Sequence, residues 1–438
     1  MRNFFIEHLT KFFKSEEYKP LRIVYLVAII VSVLVVIFTG FKVFTYDTYS
    51  YFGAKNLLLT GKFSDFRPPV YPFILLITKN LVITVVFQYL LFLIAIAFFY
   101  FTLKMFTHSN RLIFVIMLIY VCHPAFINYH NQIIPESLSI SFVTIFTYFL
   151  VKYIKYRKSK DCILIHLMLL LLIFTKPVFL FMFPVIIGIF IYLLFKKIPF
   201  KSLMLYFISS LVVLSMFVGY LSLMKKEYGV AQISIVGDLN LYAMLRDYDL
   251  IDLESIQNPE TKEFVSKKIK TTYENSTERK FIFALFESYS IYKNCGQKEL
   301  HSIVQNSLHK NFKPFLFSEE SNRSRMNNLK SYVGVTIDTF IPVIGWCVSI
   351  TFFQLFILLF FYFFLIIFDA FKKRKIPILS IIFLTYISCN MLTILLTAPS
   401  DYGRLIIPSL PMLLIVVMQC SEWLVNIIKQ TPEKFQLV

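Results

Sequence analysis

The sequence predicts an all-α polytopic membrane protein of about ten transmembrane helices, with juxtamembrane helices and one small soluble domain on the outward side. Three observations carry this. Hydrophobic residues make up 57% of the chain and charged ones only 16%, giving a mean hydropathy of +0.69. Apolar residues come in runs long enough to cross a bilayer, which takes about 20 residues of helix. Many of the lysines and arginines gather in short clusters between those runs, where they fix orientation.

The remaining composition narrows the class. With 50 Phe, 26 Tyr and only 11 Gly, the chain is neither low-complexity nor disordered. A net charge of +18 invites a nucleic-acid reading, but its placement in inter-span clusters and one long loop argues against a nucleic-acid partner. Six cysteines are scattered singly without CxxC spacing, as small core residues are, and suggest neither a metal site nor a disulfide framework.

Residues 1–20 alternate charge with Phe and Leu, as a short helix on the cytoplasmic surface does. They lead into a full-length first span at 21–41, whereas a cleavable signal has a shorter apolar region and small residues at its end. A loop at 42–80 precedes the second span, 81–101. A basic connection at 104–111 leads into a third span ending near His123-Pro124, and the fourth runs from Pro135 to Leu150. Residues 163–195 are too long for one crossing, and Lys176-Pro177 breaks them into two spans joined by a tight turn. A seventh span covers 203–224. Residues 225–335 are polar with periodic apolar positions such as Phe281 and Leu285, and read as a helical extracytoplasmic domain. The C-terminal part, 336–438, returns to the membrane with apolar stretches at 340–368, 376–396 and 405–428.

A cytoplasmic N-terminus puts the basic clusters at 104–111, 152–160, 196–201 and 372–375 all inside, in keeping with the positive-inside rule. That result depends on the hairpin at Lys176, since a single span there inverts everything downstream. On this topology Asp47, Arg67, Glu136, Lys176, Asp401 and Arg404 all reach the outer face. The span interiors are otherwise nearly free of ionisable groups, unlike those of ion-coupled transporters.

Each of these residues has two readings. Asp47, in Tyr46-Asp47-Thr48-Tyr49-Ser50-Tyr51, is either a helix-capping acid or a general base for an attacking hydroxyl. Tyr51 suits a sugar or lipid face. Arg67, before Pro68-Pro69, either snorkels to water or clamps a phosphate with its planar fork. Glu136 favours a helix start through the dipole, or serves as a second acid. His130 nearby reads as a solvated loop residue or a substrate contact. Lys176 is a turn residue or a phosphate counter-charge. His166, inside the fifth span, reads as a helix-packing histidine. Asn275-Ser276-Thr277 and Asn322-Arg323-Ser324 match glycosylation sequons. Two outward acids with three outward bases is the set that transfer from a lipid phosphate needs.

These residues resemble the GT-C glycosyltransferases, in the aminoarabinose transferase and protein O-mannosyltransferase branch. Asp47 with Tyr51, Ala54, Leu58 and Gly61 is similar to that family's first outer loop, and Arg67-Pro68-Pro69-Val70-Tyr71-Pro72 to the basic-Pro-Pro segment after it. Pro135-Glu136-Ser137-Leu138 and Thr175-Lys176-Pro177 resemble its second-loop acid and its basic residue closing the fifth span. Arg404 with Pro408 and Pro411 resembles its terminal signature, with Leu405 where Tyr is usual. The resemblance implies a polyprenyl-phosphate-linked sugar as donor and an inverting transfer. It also implies Asp47 as base, Glu136 as a second catalytic acid, and Arg67, Lys176 and Arg404 near the donor phosphate. Tyr51, Tyr71 and His130 become the substrate contacts. Ser50 stands where the aminoarabinose transferases carry arginine, so that phosphate contact is either missing here or supplied by Lys55. Some members bind a divalent metal and others work without one; no cluster here demands it. The acceptor stays open among a protein hydroxyl, a lipid headgroup and a cell-wall polymer. The implied setting is an integral membrane protein of the plasma or inner membrane with its site facing out of the cytoplasm. A lipid-linked sugar flippase or exporter and a polysaccharide ligase or polymerase are the competing classes.

Overall fold

The computed structural model describes residues 14–41, 44–123, 129–196, 198–273, 280–319, 321–322, 352–373, 377–397 and 405–435. Their regular elements are all helices. First come α1 (Lys19–Thr39) and the short α2 (Tyr46–Leu59) and α3 (Val70–Thr78). α4 (Leu81–Lys104), α5 (Asn110–Cys122), α6 (Glu136–Tyr156) and α7 (Ser159–Ile173) follow, then α8 (Met182–Phe195) and α9 (Phe200–Tyr228). A second unit is built from α10 (Val236–Asp247), α11 (Pro259–Tyr273), α12 (Lys280–Cys295), α13 (Gln297–Lys310) and α14 (Phe312–Phe317). Last are α15 (Phe352–Lys373), α16 (Ile378–Thr397) and α17 (Leu410–Phe435).

Among the described residues, 8 helical stretches are long and apolar enough to cross a membrane. They are α1, α4, α6, α8 with the 3₁₀ turn Pro177–Phe181 before it, α9, α15, α16 and α17. The helices expected as the third and fifth spans are present but shorter, α5 with 13 residues and α7 with 15.

α6 is the hub. Of its most apolar stretch 89% is buried, against 11% for α9, which faces outward along most of its length. The sequence of α6 explains this. Its Ser139, Thr144 and Thr147 are small, and each hydroxyl donates to the carbonyl one turn back, at Pro135, Ile140 and Val143. Satisfied in this way, they let α4, α7 and α17 approach closely. The helix runs past the expected Leu150 to Tyr156 and stops at Arg157, which takes a left-handed φ of 57°. The extra turn carries Lys152 and Lys155, whose stems cover apolar surface while the ammonium groups reach polar partners.

Side-chain contacts fix the relative directions of the helices. His166 on α7 meets Ser210 on α9, and eight residues on Phe174 meets Tyr220, so α7 and α9 run the same way. Phe190 lies against Phe207 and Phe183 against Phe217, so α8 runs against α9. α7 and α8 are therefore antiparallel, with the break at Lys176-Pro177. Pro177 starts a 3₁₀ turn in which its missing N–H costs no hydrogen bond. His166 packs as expected, with Nε2 2.8 Å from Ser210 Oγ.

The two ends of the bundle differ in character. At one, Lys104 Nζ reaches Glu17 at 2.7 Å, Lys155 donates to the Met105 carbonyl, and Lys152 lies 3.6 Å from Asp161. Arg157 covers the ring of Tyr192 near the end of α8. Lys104, Lys152, Lys155 and Arg157 thus share one end. α2, α3, the start of α6, the Lys176 turn and the α10–α14 unit lie at the other.

That unit has its own core, in which Leu239, Tyr242, Leu245, Val265, Ile291 and Val304 meet, separate from the core of the bundle. It begins later than the expected residue 225. Lys225 and Lys226 continue α9, which ends only where Gly229 adopts φ 81° and its N–H caps the Lys225 carbonyl. The sequons, Asp401 and Arg404 fall wholly or in part outside the described residues, as do 1–13.

Candidate functional site

The site starts from the first turn of α2. Thr48 accepts a hydrogen bond from the Thr45 N–H at 2.9 Å and donates to the Ile133 carbonyl at 3.1 Å, fixing the helix start against the segment before α6. Asp47 sits in that turn, where the dipole favours a carboxylate. The chain then leaves α2 through Gly61, at φ 78°, and returns along 62–69.

The returning segment is tied along its length. The carbonyls of Phe63, Asp65 and Phe66 accept from Tyr228 Oη, the Ile235 N–H and Ser234 Oγ, at 2.6, 2.7 and 2.6 Å. Ser64 Oγ accepts from the Phe66 N–H at 3.0 Å. Pro68 and Pro69 have no N–H to satisfy, and the next one, Val70, donates to the Phe174 carbonyl at 3.0 Å. Arg67 is therefore delivered by a rigid segment stitched to the end of α7.

Arg67 Nη2 meets Asp47 Oδ1 at 2.5 Å, and Nε donates to Ser50 Oγ at 2.7 Å. Ser50 Oγ itself donates to the Asp47 carbonyl at 2.6 Å. The guanidinium carbon lies 4.6 Å from the Tyr51 ring centre and 5.4 Å from that of Phe66. Tyr51 packs edge-on against Tyr71 at 5.0 Å. Burial opposes the Arg67 charge, but Tyr51 and Asp47 beside it hold its pKa above the ordinary value. Ser50, where the resemblance expects arginine, is thus a support for Arg67.

A second ion pair stands close by. Glu136, fully buried at the first position of α6, meets Lys176 Nζ at 3.1 Å. Glu136 lies within electrostatic reach of both Arg67 and Tyr71, so the two pairs form one cluster. Behind it, Tyr71 donates to Gln88 Oε1 at 2.9 Å, and Gln88 Nε2 donates to the carbonyls of His130 and Gln132 at 2.8 and 2.9 Å.

Asp47, Tyr51, Arg67, Tyr71, Glu136 and Lys176 therefore come together. Lys55, two turns along α2, is half-buried and has no hydrogen bond or ion pair with the cluster among the described residues. His130 corrects the expectation of a solvated residue. It is fully buried, its ring 4.1 Å from that of Phe92 and Nδ1 2.6 Å from Ser137 Oγ. Burial pushes its pKa down to about 3, so it is a neutral imidazole packed behind the site. Among the described residues no group of three or more His, Cys, Asp or Glu side chains is arranged to hold a metal ion.

Two residues went unnoticed in the sequence. Gln88 is a lone amide in an apolar span, which is itself a signal for a buried partner. Asp65, two residues before Arg67, is buried and accepts from Tyr292 Oη at 2.7 Å. Burial and Asp65 together raise the Tyr292 pKa, so the phenol keeps its proton.

No family model, curated protein or solved structure matches this chain.

Proposed function

We propose that this chain is an integral-membrane glycosyltransferase that moves a sugar from a polyprenyl-phosphate donor to an acceptor hydroxyl with inversion. The observation that carries the reading is the joined pair of ion pairs, Asp47–Arg67 and Glu136–Lys176, at one end of a bundle with Lys104, Lys152, Lys155 and Arg157 at the other. The positive-inside rule then turns the cluster outward, with α5 and α7 completing ten crossings and the α10–α14 unit on the same outer side.

In this reaction the bond between the anomeric carbon and the phosphate oxygen breaks, and a bond to the acceptor oxygen forms. Arg67 and Lys176 offset the charge left on the departing phosphate. A carboxylate held by an arginine is a weak base. The donor phosphate therefore competes for Arg67 on binding and frees Asp47 to take the proton of the acceptor hydroxyl. Glu136, paired with Lys176 at 3.1 Å, orients that cation. Tyr51 and Tyr71, buried edge-on against each other, back Arg67 from within; the burial of Tyr71 makes it a support for the cluster, where the sequence suggests a substrate contact.

The reading is tested with purified protein in lipid and a panel of radiolabelled polyprenyl-phosphate sugars. Consumption of one donor with release of polyprenyl phosphate is expected. Movement of intact labelled lipid across the bilayer, with no donor consumed, would replace this reading with that of an exporter.

A further inference from the structure

Among the described residues, the α10–α14 unit touches the segment bearing Arg67 at one compact patch. Ser234 and Ile235, just before α10, bind the carbonyls of Phe66 and Asp65. From α12, Tyr292 donates to the Asp65 carboxylate at 2.7 Å, and Tyr289 packs edge-on against Phe66 at 6.3 Å. Phe66 in turn lies against the Arg67 guanidinium. Asp65 is 7% exposed, and this hydrogen bond is its one side-chain link to the unit among the described residues.

We propose that Asp65 and Tyr292 are positioning residues, a clamp through which the α10–α14 unit fixes Arg67 against Asp47. A buried hydrogen bond to a charged acceptor is stronger than a neutral one and depends steeply on geometry. Only Phe66 separates Asp65 from Arg67, and the two prolines after Arg67 stiffen the far side. A displacement at Asp65 is thus passed to the guanidinium with little slack. A ligand held by the unit, by shifting α12, would change how firmly Arg67 is held. The catalytic weight of the clamp rests on the reaction proposed above; the clamp itself does not.

The test therefore reads Arg67 directly. Full-length protein in lipid nanodiscs is treated with phenylglyoxal, and modification of Arg67 is timed by mass spectrometry. Tyr292→Phe and Asp65→Ala each remove the clamp, whereas Asp65→Asn keeps an acceptor for the tyrosine hydroxyl. Arg67 is expected to react about tenfold faster in the first two, the weight of one buried hydrogen bond, and close to the wild-type rate in the third. Hydrogen exchange of α13 is measured alongside and is expected to be unchanged. Equal Arg67 rates in all four proteins would overturn the proposal. So would a rise that appears only together with lost protection in α13, because unfolding of the unit would then be the cause. Neither outcome depends on whether a sugar is transferred.

Discussion

Arg67 closes over Asp47 at 2.5 Å, although the two stand twenty positions apart in the chain, with the rest of α2 and a glycine turn between them. The contact joins what sequence alone presents as two roles, a base and a phosphate clamp, into one unit whose members compete with an incoming anion. The geometry of the pair depends on Arg67 having a fork, since Nη2 takes Asp47 while Nε takes Ser50.

Arg67→Lys keeps the charge and loses the fork. An ammonium can meet Asp47 or Ser50 but not both in the present arrangement. The KM for the polyprenyl-phosphate donor should rise roughly 10- to 100-fold, the weight of one or two charge-assisted hydrogen bonds. Thermal stability should change little. Steady-state kinetics with melting curves in detergent decide this.

The Glu136–Lys176 pair is buried, so its members should be more costly to lose singly than together. Lys176→Met and Glu136→Gln are each expected to destabilise the protein by about 3–5 kcal/mol, because the other charge stays buried without this ion pair. The double variant should recover a large part of that loss. Additive effects in a double-mutant cycle would contradict the coupling.

Gln88→Leu removes the amide that satisfies the Tyr71 hydroxyl and two carbonyls of the segment before α6. A cost of about 2–4 kcal/mol follows from leaving buried polar groups unpaired, read as a lower unfolding temperature. Tyr71→Phe should cost less, since it removes one partner of three.

In the α10–α14 unit His301 Nδ1 lies 2.9 Å from Asp238 Oδ2, and the hydrogen bond to Asp238 raises the His301 pKa against the opposing effect of burial. A raised folded-state pKa stabilises the fold fully below the unfolded value, about 6.5, and that stability is lost as pH rises through the folded value. Local hydrogen exchange of α13 should therefore quicken as pH is taken from about 6 upward, after correction for intrinsic exchange. His301→Gln should remove that added dependence.

Orientation is open to direct labelling. Asn56→Cys on α2 and Lys158→Cys before α7 are exposed sites at opposite ends of the bundle. A membrane-impermeant maleimide added to intact cells should label the first and leave the second until the cells are opened. The reverse pattern would place the Asp47 cluster inside.

Much of the fold was legible in the sequence because apolar runs and lysine clusters are strong, local signals. The break at Lys176-Pro177 could be read from a charge and a missing N–H within an apolar stretch. The ends of α6 and α9 could not, because lysines at a membrane border continue a helix as readily as they end it. The site was legible only as separate motifs. Nothing in Asp47 or Arg67 tells that they bind each other, since that pairing is set by the path of residues 60–69. His130 was misread because a short polar segment between spans looks solvated, whereas here it is buried against Phe92 and the start of α6. Asp65 was overlooked because its partner Tyr292 is supplied by a distant unit.

The most direct test compares wild type with Asp47→Asn for turnover of polyprenyl-phosphate sugars by purified protein in lipid. The substitution keeps the shape of the side chain and a hydrogen-bond acceptor for Arg67 while removing the base. Loss of turnover by about a hundredfold or more, with membrane insertion and melting temperature retained, is the expected result. Undiminished turnover in a folded Asp47→Asn protein would contradict the assignment of Asp47 as the base and the mechanism built on it.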